Sequence, residues 1–154
     1  MSHYHYHEIE AENAVECGHE LGKLFGPVIR DYIEHARAQK SWRDCKAQAK
    51  VLLSLTAKHF PSYIDELAAY AASSGVDLLD LWTISIEDEL EHRAKERCTT
   101  VVTNSGHLIA HNEDWSPDAI EDICILKKRV GATTTLELYY YGCPLGGTAL
   151  STNC

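Results

Sequence analysis

The sequence predicts an α+β fold, with a helical first part followed by antiparallel strands. Two observations carry this. Apolar and small residues recur at three- and four-residue steps from Ala14 to about Glu91. After Arg97 the chain turns β-branched, in short runs separated by turn residues. Helices first and strands afterwards argue against a doubly wound sheet. The division falls at about residue 97, giving a helical segment 1–97 and a strand segment 98–154 of one structural domain.

Each element has its own signal. His3, His5 and His7 alternate with Tyr. They read as a frayed terminus or a strand with a His-rich face, and less readily as a metal site. The first helix carries Ala14, Gly18, Leu21, Phe25, Val28, Tyr32 and Ala36 at helical spacing. Gly18, Gly22 and Gly26 fall on one stripe. Each costs roughly 0.5–1 kcal/mol against Ala in a helix, which implies close approach of another backbone. A second helix is expected from Ser41, where Ser41-x-x-Asp44 resembles a capping box. Pro61 stops it and opens a third helix, which ends near Ser74-Gly75. Asp77 caps a fourth, from Leu78 to about Glu91. Glu87, Asp88, Glu89 and Glu91 at its end read as a solvated face, or as a carboxylate turned inward to hold a cation.

The strand segment opens with a hairpin, residues 98–103 and 107–111, turning at Asn104-Ser105-Gly106. A second pair runs Ile123 to Val130 and Thr133 to Tyr141, turning at Gly131-Ala132. A fifth strand is expected from Thr148 to Thr152. Lys127-Lys128-Arg129 reads as a solvated edge strand guarded against aggregation. The alternative is a site for an anionic acyl carrier such as coenzyme A.

Composition narrows the function. A chain of 154 residues with 45% hydrophobic residues suits one domain, burying roughly 70% of its unfolded surface. Fourteen Lys+Arg against 23 Asp+Glu give a charge of −9, which disfavours binding to nucleic-acid backbones. No uncharged apolar run approaches the ~20 residues of a membrane span. The start, Met1-Ser2-His3-Tyr4-His5, lacks the pattern of a secretory leader. Six cysteines, at 17, 45, 98, 124, 143 and 154, form no C-x-x-C pair. They read as reduced thiols of a cytoplasmic protein. His107 and His111 on a strand stand about 13 Å apart, too far to share one ion. No metal or cofactor is expected. A pH- or redox-responsive module built from nine His and six Cys is a weaker alternative.

The candidate chemistry lies at the first hairpin. Cys98 opens it, and the return strand leads through His111 to Asn112-Glu113-Asp114-Trp115. A hairpin brings its outer ends together, so a thiol comes within reach of an amide and two carboxylates.

Cys98-Thr99-Thr100, a Gly-containing turn and His111-Asn112-Glu113-Asp114 resemble the N-terminal-nucleophile hydrolases. The closest branch is the acyl-coenzyme A:6-aminopenicillanate acyltransferase-like group, which includes insect β-alanyl-amine hydrolases. Choloylglycine hydrolases are more distant. Glu16-Cys17-Gly18-His19-Glu20-Leu21-Gly22 resembles the Gly-rich helical segment of that group. The resemblance implies a four-layer αββα sandwich and self-cleavage at Arg97–Cys98. Cys98 would be the nucleophile, with its freed α-amine as base. Asp114 would hold that amine, and Asn112 would position loop or substrate. His111 stands where choloylglycine hydrolases carry an Arg. Glu113 and, upstream, Glu89 are lesser positioning candidates. The implied substrate is a small linear amide, an N-acyl amino acid or amine, with a coenzyme A thioester as an alternative acyl source.

Family chains continue beyond a point matching Cys154. The sandwich is therefore expected to be incomplete here. A non-catalytic fragment or subunit that pairs with a complementary chain, or a homo-oligomer, is the rival reading.

Overall fold

The computed structural model describes residues 5–91, 99–103, 108–112 and 123–141. Their element order is β1 (His5–Ala11), α1 (Ala14–Arg37), α2 (Trp42–His59), α3 (Pro61–Ser74), α4 (Leu78–Ser85), α5 (Glu87–Glu91), β2 (Thr99–Thr103), β3 (Leu108–Asn112), β4 (Ile123–Val130) and β5 (Thr133–Tyr140). β1, β4 and β5 form a three-stranded sheet in the order β1-β4-β5, and β2 and β3 form a two-stranded one. This is an α+β arrangement. The expected fifth strand, Thr148 to Thr152, lies outside the described residues.

One feature corrects the expected order of helices followed by antiparallel strands. A strand precedes the helices, and β1 pairs in parallel with β4, from His5 opposite Cys124 to Ala11 opposite Val130. Strand alternation puts Ile9 and Ala11 on the buried face of β1 and leaves Glu8 and Glu10 exposed. The long helical crossover is what allows the parallel pairing. The sheet thus draws strands from both sides of residue 97.

The helices start and stop for local reasons. Asn13 caps α1, its Oδ1 accepting from the Glu16 backbone N–H at 3.0 Å. Glu16 Oε2 in turn accepts from the Glu12 N–H at 2.8 Å. The box expected at Ser41 does not form. Ser41 is already helical at φ −75° and ψ −16°, and its side chain makes no capping bond. A cap needs extended backbone to aim its oxygen at the helix. Pro61 opens α3 as expected. Gly75 ends it in the left-handed region at φ 70°, its N–H reaching Ala72 O and that of Val76 reaching Ala71 O. Asp77 caps α4 through Asp80 N–H at 3.1 Å. The fourth helix is shorter than expected and breaks at Ile86. Thr83 and Ser85 donate back to the Leu79 and Leu81 carbonyls at 2.6 and 2.7 Å, a pattern that bends helices.

The glycine stripe of α1 lies directly on α3. A Cβ at Gly18 would stand 2.1 Å from Glu66 O, and one at Gly22 would stand 2.5 Å from Tyr70 O. One step past Gly26 on the stripe is Arg30, whose Nη1 donates to Ser74 O at 2.7 Å and closes the end of α3. The two helices together cover one face of the three-stranded sheet. Leu21, Phe25, Leu67 and Tyr70 meet Leu126 and Tyr139 in one core. Phe25 stacks on Tyr139 with ring centroids 4.9 Å apart. α4 anchors α2 through Trp82, whose Nε1 donates to Ala49 O at 2.9 Å. β4 and β5 join at Gly131-Ala132 with Gly131 at φ 57°, and the Gly131 N–H also reaches Ala11 O at 2.9 Å. No helix among the described residues is long and apolar enough to cross a membrane.

Gly18→Ala and Gly26→Ala should separate steric contact from propensity. The methyl at 18 meets backbone, so the loss should reach about 2–3 kcal/mol or more despite Ala's better helix propensity. At 26 the nearest atom is Ser74 Cα at 3.2 Å, and the change should be near neutral. Urea unfolding midpoints test this; equal midpoints for both variants would refute the backbone contact.

Candidate functional site

The expected hairpin forms, with its return strand described over Leu108–Asn112. β2 and β3 pair antiparallel, with Thr99 opposite Asn112, Thr100 opposite His111 and Thr103 opposite Leu108. Thr100 Oγ1 and His111 Nδ1 are 2.7 Å apart across the ladder, so the imidazole is tied to the neighbouring strand. Asn112 is exposed at the open end of the pair. Two of the singled-out residues, His111 and Asn112, are therefore brought to the start of β2. Arg97, Cys98, Glu113 and Asp114 lie outside the described residues. Glu89 is exposed on α5, a short helix that packs against α2.

A second polar cluster, missed in the sequence, sits between the helices and the sheet. It joins Cys17 of α1, Glu66 of α3, Lys128 of β4 and Glu137 of β5. Lys128 Nζ lies 3.0 Å from Glu137 Oε1, and Thr135 donates to the same oxygen at 2.7 Å. Cys17 is buried. Burial, with the Glu66 charge beside it, pushes its thiol up to about 12. Burial also raises the Glu66 carboxyl, against the pull of Lys128. The arrangement holds a neutral thiol, the opposite of an activated nucleophile. Alternation along β4 carries the signal: Lys128 shares the inward face with Cys124 and Leu126.

The basic run corrects a further expectation. β4 is the central strand, not an edge. Each cation of the run has a carboxylate on a neighbouring strand. Lys127 pairs with Glu8 at 3.5 Å, Lys128 with Glu137, and Arg129 Nε donates to Glu10 at 3.2 Å. Cross-strand pairing absorbs the charge that an anionic carrier would need.

Asp80 is buried where α1, α2 and α4 meet. Its Oδ2 accepts from Arg37 Nε at 3.2 Å and from Arg37 Nη2, and its Oδ1 pairs with Lys46 Nζ. Burial opposes its charge, but hydrogen bonds from Lys46 and Arg37 outweigh that and hold the carboxyl below its usual range. His5 and His7 stack with centroids 6.3 Å apart, and His7 meets the edge of Phe25 at 5.4 Å. Burial, then the neighbouring His5, lower the His7 imidazole's affinity for a proton. Among the described residues no three His, Cys, Asp or Glu side chains converge to hold a metal.

No protein-family model matches the chain, and no curated protein matches it.

Two outcomes follow from this geometry. Cys17 and Cys124, both buried and pushed up to about 12 and about 11, should resist iodoacetamide at pH 7.5 until the protein is unfolded. Peptide mapping of native-state labelling checks this, and rapid labelling of Cys17 would contradict the packing. Asp80's depressed folded value means its stabilisation is full above the unfolded value of about 3.9 and fades as pH falls through the folded value. Asp80→Asn should therefore cost about 1–2 kcal/mol at pH 7, a figure reduced because Arg37 and Lys46 reach solvent. The gap to wild type should narrow below pH 4.

Proposed function

We propose that this chain carries the nucleophile of a self-processing cysteine amidohydrolase or acyltransferase of the N-terminal-nucleophile type. It cleaves or transfers the acyl group of a small linear amide, such as an N-acyl amino acid or amine. The observation that supports this is the β2–β3 register. Thr99 pairs with Asn112, and these residues adjoin Cys98 and Glu113 in sequence, which supports a hairpin-borne Cys and Asn–Glu–Asp constellation.

The chemistry follows from the residue types. The Cys98 thiolate attacks the Arg97 carbonyl carbon, and the peptide nitrogen leaves as the Cys98 α-amine, taking a proton. Water then hydrolyses the resulting thioester and leaves an Arg97 carboxylate. The freed α-amine titrates at roughly 7.7–8, so it accepts the thiol proton near neutral pH. Asp114 holds that amine in its ammonium form. A substrate amide then acylates Cys98, and water or an amine takes the acyl group. Asn112 positions the loop or the substrate, and Glu113 and Glu89 are secondary.

One observation favours a second reading, a subunit that pairs with a complementary chain. Val101, Val102 and Leu108 of the hairpin are 52%, 61% and 56% exposed. Adjacent Val101 and Val102 point to opposite faces, so both faces of the ribbon are apolar and open.

Intact mass under denaturing conditions separates the readings. Self-cleavage should give pieces of roughly 11 and 6 kDa, by residue share of the 17.2 kDa chain. Cys98→Ala should give one uncut chain and no turnover of N-acyl amino acid substrates. Turnover by that variant would end the assignment. A single uncut wild-type mass favours the paired-subunit reading.

A further inference from the structure

The outer side of α2 is unlike the outer sides of the other helices. Val51 and Leu55 are 62% and 53% exposed, and Leu52 is 38% exposed. Ala47, Val51 and Leu55 fall four apart along one line of the helix, all exposed. The opposite side is spoken for: Ala49 is buried, and its carbonyl takes the Trp82 indole N–H. The apolar line has a charged residue at each end. Asp44 lies one turn before Ala47 and Lys58 lies one turn after Leu55, both exposed. Among the described residues neither has an ion-pair partner, so both ends of the line are open to an opposite charge.

We propose that this face of α2 is where two copies of the chain pair, with their α2 helices antiparallel about a two-fold axis through Val51. A two-fold contact must be self-complementary, so that when residue i meets j, j meets i. This line satisfies that condition. An antiparallel crossing at Val51 sets Ala47 against Leu55, a small side chain against a large one, on both sides of the axis. It also sets Asp44 against Lys58 at both ends. A parallel crossing would place Asp44 on Asp44 and Lys58 on Lys58, two like-charge contacts. The helix dipoles favour the same choice, since antiparallel helices bring unlike ends together. The 18 residues of α2 make a contact about 27 Å long. One helix pair of that length falls at the small end of protein interfaces, so the dimer should dissociate at about 10–100 µM.

Sedimentation equilibrium of the full chain between about 5 and 500 µM tests this. The wild type should pass from monomer to dimer. Val51→Glu should stay monomeric across the range with an unchanged melting temperature, since the side chain is exposed. Asp44→Lys and Lys58→Glu should each weaken the dimer at least about tenfold, and the double variant should return to within about threefold of wild type. A wild type that stays monomeric overturns the proposal and leaves the face to a different protein. A dimer that survives Val51→Glu, or a double variant no better than the singles, also overturns it.

Discussion

The contact of the α1 glycines with the α3 backbone is the constraint on which the other elements depend. At Gly18 and Gly22 there is no room for a methyl group, because the neighbours are the carbonyl oxygens of Glu66 and Tyr70. Backbone atoms cannot repack as side chains do. The two helices therefore meet backbone to backbone at these positions. At that separation α1 and α3 present one joint surface to the sheet. Phe25 from one helix and Tyr70 from the other both reach Tyr139 of β5, by ring stacking and by a 3.4 Å hydroxyl contact. The same closeness brings Cys17 and Glu66 together over Lys128. α1 also contains Pro27, which removes one backbone donor. Arg30 and its bond to Ser74 O hold the helix pair together one turn later.

The interior polar groups compensate one another. Lys128 and Glu137 cancel beside Cys17 and Glu66, and Arg37 and Lys46 bracket Asp80. A chain of net charge −9 thus commits several of its few cations to internal partners. What remains on the surface is predominantly acidic. That makes the basic run a poor anion site although its residues are contiguous in sequence. Three consecutive charges on a strand point to alternate faces and meet different neighbours, so they never act as one patch.

Those features with local causes were legible in the sequence. The glycine stripe announced a close backbone neighbour. Pro61, Gly75 and Asp77 marked helix ends through their own backbone preferences. Gly131-Ala132 marked the second hairpin. Features that depend on distant residues were not legible. Nothing local in His5–Ala11 says that it pairs with Ile123–Val130 more than a hundred residues later, or that this pairing makes β4 central. The break at Ile86 has no Pro or Gly to mark it. The Asp80 triad depends on three helices meeting. At the candidate site the hairpin itself was legible, because β-branched runs flank a Gly-containing turn, whereas the pairing of Thr99 with Asn112 was not.

The hairpin's burial is at odds with its composition, and this bears on function. An isolated two-stranded ribbon is marginal in water, and side-chain contacts across it contribute only about 0.2–1 kcal/mol each. β2 reads Thr-Thr-Val-Val-Thr, with adjacent valines directed to opposite faces and every residue exposed. Strands with apolar residues on both faces are those that a fold covers on both sides. The sequence of β2 is therefore that of an interior strand, in a ribbon whose described faces are open. The same ribbon bears the Thr99–Asn112 end to which Cys98 and Glu113 attach. In the proposed function the nucleophile and the carboxylates flank this ribbon in sequence, so that reading couples self-cleavage to whatever covers Val101 and Val102.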